Sequence, residues 1–136
     1  METYKELRNR HQKEFNAFPI KFAFSDEQFT EAMKELGLRP NETDKLYSIG
    51  YGGFIKKEDA MSFAKMVKKQ KQDREDAMKN DEFLKEMFIC EMGNHEYILT
   101  YDDEEVLEAC GMERSNMDTR TVEIYNSARA IYLAAA

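Results

Sequence analysis

Two side chains in "CEMGNHEY" (residues 90–97) could do acid–base or metal chemistry. Glu91 and His95 are four positions apart, so a helix would bring a carboxylate and an imidazole onto one face. Such a pair can transfer a proton or bind a metal ion, and Asp102 follows soon after in the chain. A small metal-dependent or acid–base enzyme centred on Glu91, His95 and Asp102 is therefore one hypothesis.

The rest of the sequence gives this pair little support. The motif H-E-x-x-H is absent because position 99 is Leu, and with only two histidines a three-ligand zinc site would depend on carboxylates. No G-x-S-x-G motif is present, and no base lies near Cys90 or Cys110 in the sequence. A helix-end histidine satisfied by Glu91 or by a backbone carbonyl is the more ordinary interpretation. We predict no catalytic residue, no metal and no cofactor, and keep Glu91 and His95 only as weak metal candidates.

The glycines of "LYSIGYGGFIKK" (residues 46–57) raise the question of phosphate binding. A P-loop, G-x-x-x-x-G-K-[ST], and a dinucleotide fingerprint, G-x-G-x-x-G, each require glycine where this chain has Ile55. Glycines between β-prone residues are instead typical of a hairpin tip that needs positive φ angles. An anion or partner site formed by Gly52, Gly53 and Lys56 is the alternative.

Charge is distributed unevenly along the chain. The 28 residues between Lys85 and Arg114 contain nine acids and no Lys or Arg, so this window has a charge of −9. Because the whole chain has a net charge of −7, the residues outside the window sum to +2. Residues 56–79 have the opposite bias, with eight basic and five acidic side chains. Direct binding to nucleic acid is disfavoured, because affinity for phosphates comes chiefly from clustered Lys and Arg. The acidic window predicts a basic protein surface as partner, contacted by Glu96, Asp102, Asp103, Glu104, Glu105 and Glu108.

These residues must be positioned by a helix-rich α+β domain. Apolar spacings of three and four predict helices near residues 3–15, 26–36, 58–76, 82–93, 103–109 and 118–135. Ser25 and Gln28 form a capping box, and Asp81 and Asp102 are predicted N-caps. Alternation or β-prone runs predict short strands at about 18–24, 46–55 and 97–101.

Length and composition set the outer limits. At 136 residues and 42% hydrophobic, the chain is expected to form a single domain, residues 1–136, with one core. It has no signal-peptide pattern and no long apolar segment, so we expect a cytoplasmic protein that does not enter a membrane. Both cysteines have apolar neighbours in predicted helices, as reduced thiols usually do.

Three blocks carry a resemblance to a protein family. "NAFPIKFAFSDEQF" (16–29), "ETDKLYSIGYGGFIKKED" (42–59) and "FLKEMFICEMGNHEY" (83–97) resemble an uncharacterised family of small acidic proteins from bacterial phages and mobile elements. This resemblance implies an accessory protein, a class in which acidic inhibitors of host defence nucleases, including anti-CRISPR proteins, are frequent.

The preferred hypothesis is therefore a non-enzymatic, protein-binding module. In this hypothesis the acidic residues occupy a basic groove on a host protein that handles nucleic acid, such as a CRISPR nuclease. The enzyme centred on Glu91 and His95 is one alternative. A homo-oligomeric structural protein, using the Phe-rich strand or the last helix as its interface, is the other.

Overall fold

The computed structural model describes all 136 residues and is a helix-rich α+β structure, which confirms the predicted fold class. The helices are α1 (Tyr4–Ala17), α2 (Asp26–Glu35), α3 (Ala60–Ala77), α4 (Asp81–Asn94), α5 (Tyr97–Thr100), α6 (Asp103–Ala109) and α7 (Thr119–Ala135). The strands are β1 (Lys21–Phe22), β2 (Leu46–Gly50) and β3 (Gly53–Lys56). None of the helices is both long and apolar enough to cross a membrane.

The chain divides into two compact units. We call Met1–Arg8 with Asp73–Ala136 the helical unit, and Asn9–Gln72 the hairpin unit. The boundaries fall within α1 and within α3.

The helical unit is built around α4. Phe83, Leu84, Met87, Phe88 and Met92 of this helix are buried, and they pack in one cluster with residues of α1, α5, α6 and α7. Phe88 meets the ring of Tyr125 edge to face, with the ring centroids 5.1 Å apart. Burial on several sides explains why the apolar residues of α4 surround much of the helix instead of forming one stripe.

The hairpin unit contains a three-stranded antiparallel sheet in the order β1-β3-β2. Phe54 of β3 packs under α2 with Ala32, Met33 and Leu36, and its ring contacts that of Phe29. The predicted capping box begins α2, since the Ser25 hydroxyl accepts a hydrogen bond from the amide of Gln28. The Gln28 side chain in turn accepts one from the amide of Phe24.

The predicted hairpin tip is confirmed. Residues Gly50, Tyr51 and Gly52 have φ angles of +87°, +54° and +78°, and the positive values at Tyr51 and Gly52 suit a two-residue hairpin turn. A second constraint acts at the glycines, because a Cβ on Gly52 would lie 2.7 Å from the ring of Phe24. A Cβ on Gly53 would lie 2.8 Å from the ring of Phe22. The motif therefore lets two phenylalanine rings approach the backbone.

Three predicted elements need correction. The region 18–24 forms a strand only at Lys21–Phe22, and α4 is capped by Asn80 rather than Asp81, through a hydrogen bond from the amide of Phe83. The predicted strand at 97–101 is wrong, because Tyr97–Thr100 is a short helix. Left-handed residues Glu96 and Tyr101 bound this turn, and Tyr97 is buried in the helical core. A short apolar run suits a strand or a buried helical turn equally well, so its pattern could not separate the two.

The hairpin gives a direct test of the Phe24 contact. Gly52→Val should lower the free energy of unfolding by more than about 2 kcal/mol, since a β-branched residue is strained at positive φ and also meets the Phe24 ring. Gly50→Val is the matched control, because Gly50 has a similar φ with nothing within 4 Å of the added Cβ. Urea denaturation should show a clearly smaller loss for Gly50→Val; equal losses would contradict a packing role for Phe24.

Candidate functional site: an acidic cleft

Asp103, in the segment without Lys or Arg, is held by side chains from several helices. Its Oδ1 accepts hydrogen bonds from the hydroxyls of Tyr97 at 2.7 Å and Tyr125 at 2.5 Å. Its Oδ2 accepts a bond from Arg114 at 2.7 Å and lies 3.7 Å from Nη1 of Arg129. Four side chains from α5, α7 and the turn before α7 thus meet at one carboxylate of α6.

The ionisation of Asp103 follows from these contacts. Burial acts to raise the pKa of Asp103, but the hydrogen bonds from Tyr125 and Tyr97 and the charges of Arg114 and Arg129 outweigh it, so the pKa is lowered. Burial and the hydrogen bond to Asp103 raise the pKa of Tyr125. The cluster therefore holds a carboxylate anion beside two protonated phenols. These groups stabilise the fold.

Asp102 and Glu105 also have structural roles. The Asp102 carboxylate caps α6 by accepting hydrogen bonds from the amides of Glu104 at 3.1 Å and Glu105 at 3.2 Å. The Glu105 carboxylate lies 3.0 Å from Nδ1 of His95. The predicted cap at Asp102 is confirmed, and these contacts occupy the two side chains within the fold.

Glu91 and His95 do lie together at the end of α4. Nε2 of His95 is 3.5 Å from Oε2 of Glu91. Glu91 is only 6% exposed, and its Oε1 accepts hydrogen bonds from Tyr4 at 2.7 Å, Arg8 at 3.3 Å and Asn94 at 3.2 Å. Asp102, the third residue of the enzyme hypothesis, is engaged at the start of α6 instead.

This arrangement ties α1 to α4. Burial, together with the hydrogen bond from Tyr4 to the negative Glu91, raises the pKa of the Tyr4 phenol. No group of three or more His, Cys, Asp or Glu side chains is arranged to hold a metal ion. The contacts of Glu91 account for its burial without any ligand.

The two cysteines are free thiols. Burial raises the pKa of Cys110 to about 12, and burial together with the charge of Glu86 raises the pKa of Cys90. Thiols with raised pKa values are poor nucleophiles at neutral pH.

The remaining acids of α6 border a concave surface that we call the acidic cleft. It has a volume of about 480 Å³ and is lined by Glu104, Leu107, Glu108, Met112, Glu113, Arg114 and Ser115. The carboxylates of Glu104, Glu108 and Glu113 belong to exposed residues, whereas Leu107 is buried and Met112 half-buried. A second hollow of about 430 Å³ shares Glu108, Met112 and Glu113 and continues toward Asp118.

The structure therefore separates the six predicted partner-binding acids. Glu104 and Glu108 line the acidic cleft, and Glu96 is exposed on the left-handed turn before α5. Asp102, Asp103 and Glu105 make the intramolecular contacts described above. Glu113 is a further acid of the cleft that was not among the predicted partner-binding residues, although it lies in the same window without Lys or Arg. Leu99 and Tyr101 are exposed apolar residues that the predicted strand at 97–101 did not indicate.

The residues of the predicted anion loop make contacts within the fold. The carbonyl of Gly52 accepts a hydrogen bond from Ala23, and Nζ of Lys56 lies 3.6 Å from a carboxylate oxygen of Glu58. Packing against Phe22 and Phe24 explains Gly52 and Gly53 without a ligand.

One protein family matches most of the chain. The family of unknown function DUF7659 matches residues 3–130. The chain belongs to this family. No curated protein matches the chain, and no solved structure matches it. Membership in DUF7659 assigns no activity to the chain.

The Asp103 cluster predicts a pH dependence of stability. Because the pKa of Asp103 is below its ordinary value of 3.8 in the folded protein, its stabilising effect is complete above about pH 4 and is lost as the pH falls through the lower folded value. Asp103→Asn should lower the free energy of unfolding by about 2 kcal/mol at neutral pH. It should also reduce the loss of stability that the wild-type protein shows as the pH falls below about 4. Glu104→Gln, on the same helix, should change stability by less than about 0.5 kcal/mol. Urea denaturation from pH 2 to 7 measures the stability of both variants. If Asp103→Asn loses as much stability at acid pH as the wild-type protein does, the role given to Asp103 is contradicted.

Glu91 and His95 should differ sharply in their contribution to stability. Glu91→Ala should lower the free energy of unfolding by about 3 kcal/mol, because it leaves the buried Tyr4 hydroxyl and the Arg8 charge without their acceptor. His95→Ala removes a partly exposed ring and should cost less than about 1 kcal/mol. Thermal or urea denaturation gives both values. A stoichiometric metal in the purified protein that disappears in His95→Ala would instead support the enzyme alternative.

Proposed function

We propose that this protein is a protein-binding module whose acidic cleft receives basic side chains from a partner. The observation that carries the proposal is the composition of the cleft, in which exposed carboxylates of Glu104, Glu108 and Glu113 surround Leu107 and Met112. A Lys or Arg side chain has an aliphatic stem and a cationic end, so it complements an apolar floor with a carboxylate rim.

The surrounding charge supports the same partner chemistry. The cleft lies in the chain segment that carries nine acids and no Lys or Arg between residues 85 and 114. Arg114 at the cleft is paired with Asp103, and the carboxylates of Glu104, Glu108 and Glu113 outnumber this single arginine in the lining of the cleft. A field of this sign attracts a basic surface and accelerates its encounter with the protein.

The more specific form of the proposal concerns the partner's own function. Basic grooves on proteins commonly serve to bind the phosphates of nucleic acid, and an acidic module seated there would block that binding. We propose a host protein that handles nucleic acid, such as a CRISPR or other defence nuclease, as the target. The support for this step is the acidic surface and the resemblance to proteins of phages and mobile elements.

A pull-down from bacterial lysate with matched variants tests the binding surface. The triple variant Glu104→Lys, Glu108→Lys and Glu113→Lys should lose the captured partner, and raising the salt from 50 to 500 mM should release it from the wild-type protein. The control changes Glu27, Glu31 and Glu123 to Lys, which alters the net charge equally at exposed positions outside the cleft. The control should retain the partner.

Two results would count against the proposal. If both triple variants capture the partner equally, the cleft is not the binding surface. If both lose it equally, net charge rather than the cleft governs binding. For the more specific form, duplex DNA added to the captured complex should displace the partner; a complex indifferent to DNA would exclude a nucleic-acid groove as the target.

A further inference from the structure

The hairpin unit has an apolar groove that the acidic cleft does not involve. We call it the β2–α3 groove, and its volume is about 540 Å³. Tyr47 and Ile49 of β2 form one wall, and Phe63, Ala64 and Val67 of α3 form the other. The Tyr47 side chain is 51% exposed and that of Val67 47%. Large apolar side chains are therefore open to solvent on both walls.

The apolar face of α3 is only partly covered within its own unit. Ala60, Phe63, Ala64 and Val67 recur at spacings of three and four, which is one face of a helix. Nevertheless, no residue of α3 is buried. Phe63 is partly covered by the rings of Phe15 and Phe18, with centroids 6.4 and 5.4 Å away. The stripe beyond Phe63 remains uncovered toward Val67.

The backbone of β2 adds a second feature at the same place. In the sheet order β1-β3-β2, strand β2 pairs only with β3, so its other edge has unpaired amide and carbonyl groups. Tyr47 pairs with Ile55, so these two side chains lie on the same face of the sheet. The register is interrupted between Ser48 and Gly50, and Ile49 lines the groove beside Tyr47. An edge strand beside an apolar groove is the arrangement that accepts an added peptide strand.

Charge indicates which peptide would fit. Lys68 and Lys71 continue the groove-lining face of α3 beyond Val67. They lie in the segment 56–79, where eight basic residues outnumber five acids. A peptide that alternates apolar and acidic side chains would place its apolar side toward Ile49 and Val67 and its carboxylates near these lysines.

We propose that the β2–α3 groove binds an extended, acidic segment of a partner protein, which pairs with the free edge of β2. This inference is independent of the acidic cleft, which prefers a partner of the opposite charge. The protein would then have two docking surfaces of complementary chemistry, one on each unit.

The probe is a fluorescein-labelled peptide of alternating valine and glutamate, compared with one of alternating valine and lysine. Fluorescence anisotropy with the full-length protein should show at least about tenfold tighter binding of the glutamate peptide. Val67→Glu and Lys68→Glu should each weaken that binding about tenfold, whereas Lys13→Glu, at an exposed lysine on α1, should change it less than twofold. Methylating alternate peptide nitrogens on one edge should abolish binding, and methylating those on the other edge should not.

Several outcomes would overturn the inference. These are no binding of the glutamate peptide, equal binding of the lysine peptide, or binding that is insensitive to Val67→Glu and Lys68→Glu. Self-association of the chain that Val67→Glu abolishes would assign the groove to a second copy instead. The Glu104, Glu108 and Glu113 triple variant should keep full peptide affinity, so a failure of the acidic cleft and a failure of this groove remain distinguishable.

Discussion

The structure of the helical unit depends on how the carboxylate of Asp103 is satisfied. One acid at the start of α6 accepts hydrogen bonds from Tyr97 and Tyr125 and forms ion pairs with Arg114 and Arg129. Hydrogen bonds to a charged acceptor are stronger than neutral ones when water is partly excluded. This one carboxylate therefore fixes α5, α6 and α7 relative to one another.

This constraint separates two kinds of acid within a single charged segment. Asp102 serves as a helix cap, Asp103 as the centre of the tyrosine–arginine cluster, and Glu105 as a partner of His95. Glu104, Glu108 and Glu113 instead face the cleft. The fold thus neutralises some acids locally while leaving others to form a negative surface over an apolar floor. A run of acids read only as solubilising charge would miss this division.

Much of the architecture could be predicted because local signals and tertiary packing agree. The Ser25–Gln28 capping box, the Asp102 cap and the glycine-rich hairpin all depend on contacts within a few residues. The strand prediction at 97–101 was wrong because burial of Tyr97 and left-handed backbone at Glu96 and Tyr101 decide that segment. Those features follow from tertiary contacts, which apolar spacing does not specify.

The candidate site was predictable in its location and sign but not in its shape. Glu104, Glu108 and Glu113, which line the acidic cleft, all lie in the segment without Lys or Arg between residues 85 and 114. The packing of α4, α7 and the turn before α7 against α6 decides which carboxylates bond to Tyr125, Arg114 or His95. The sequence does not specify that packing. Likewise, the pairing of Glu91 with His95 was visible as a four-residue spacing. The role of Tyr4 and Arg8 was not, because more than 80 residues separate them from Glu91 in the chain.

The most direct measurement for the acidic cleft is hydrogen–deuterium exchange of the protein, free and bound to the partner that it captures. The account predicts slower exchange on binding in residues 103–115, the chain segment that forms the cleft. Unchanged exchange throughout this segment, in a complex that protects other parts of the chain, would contradict it.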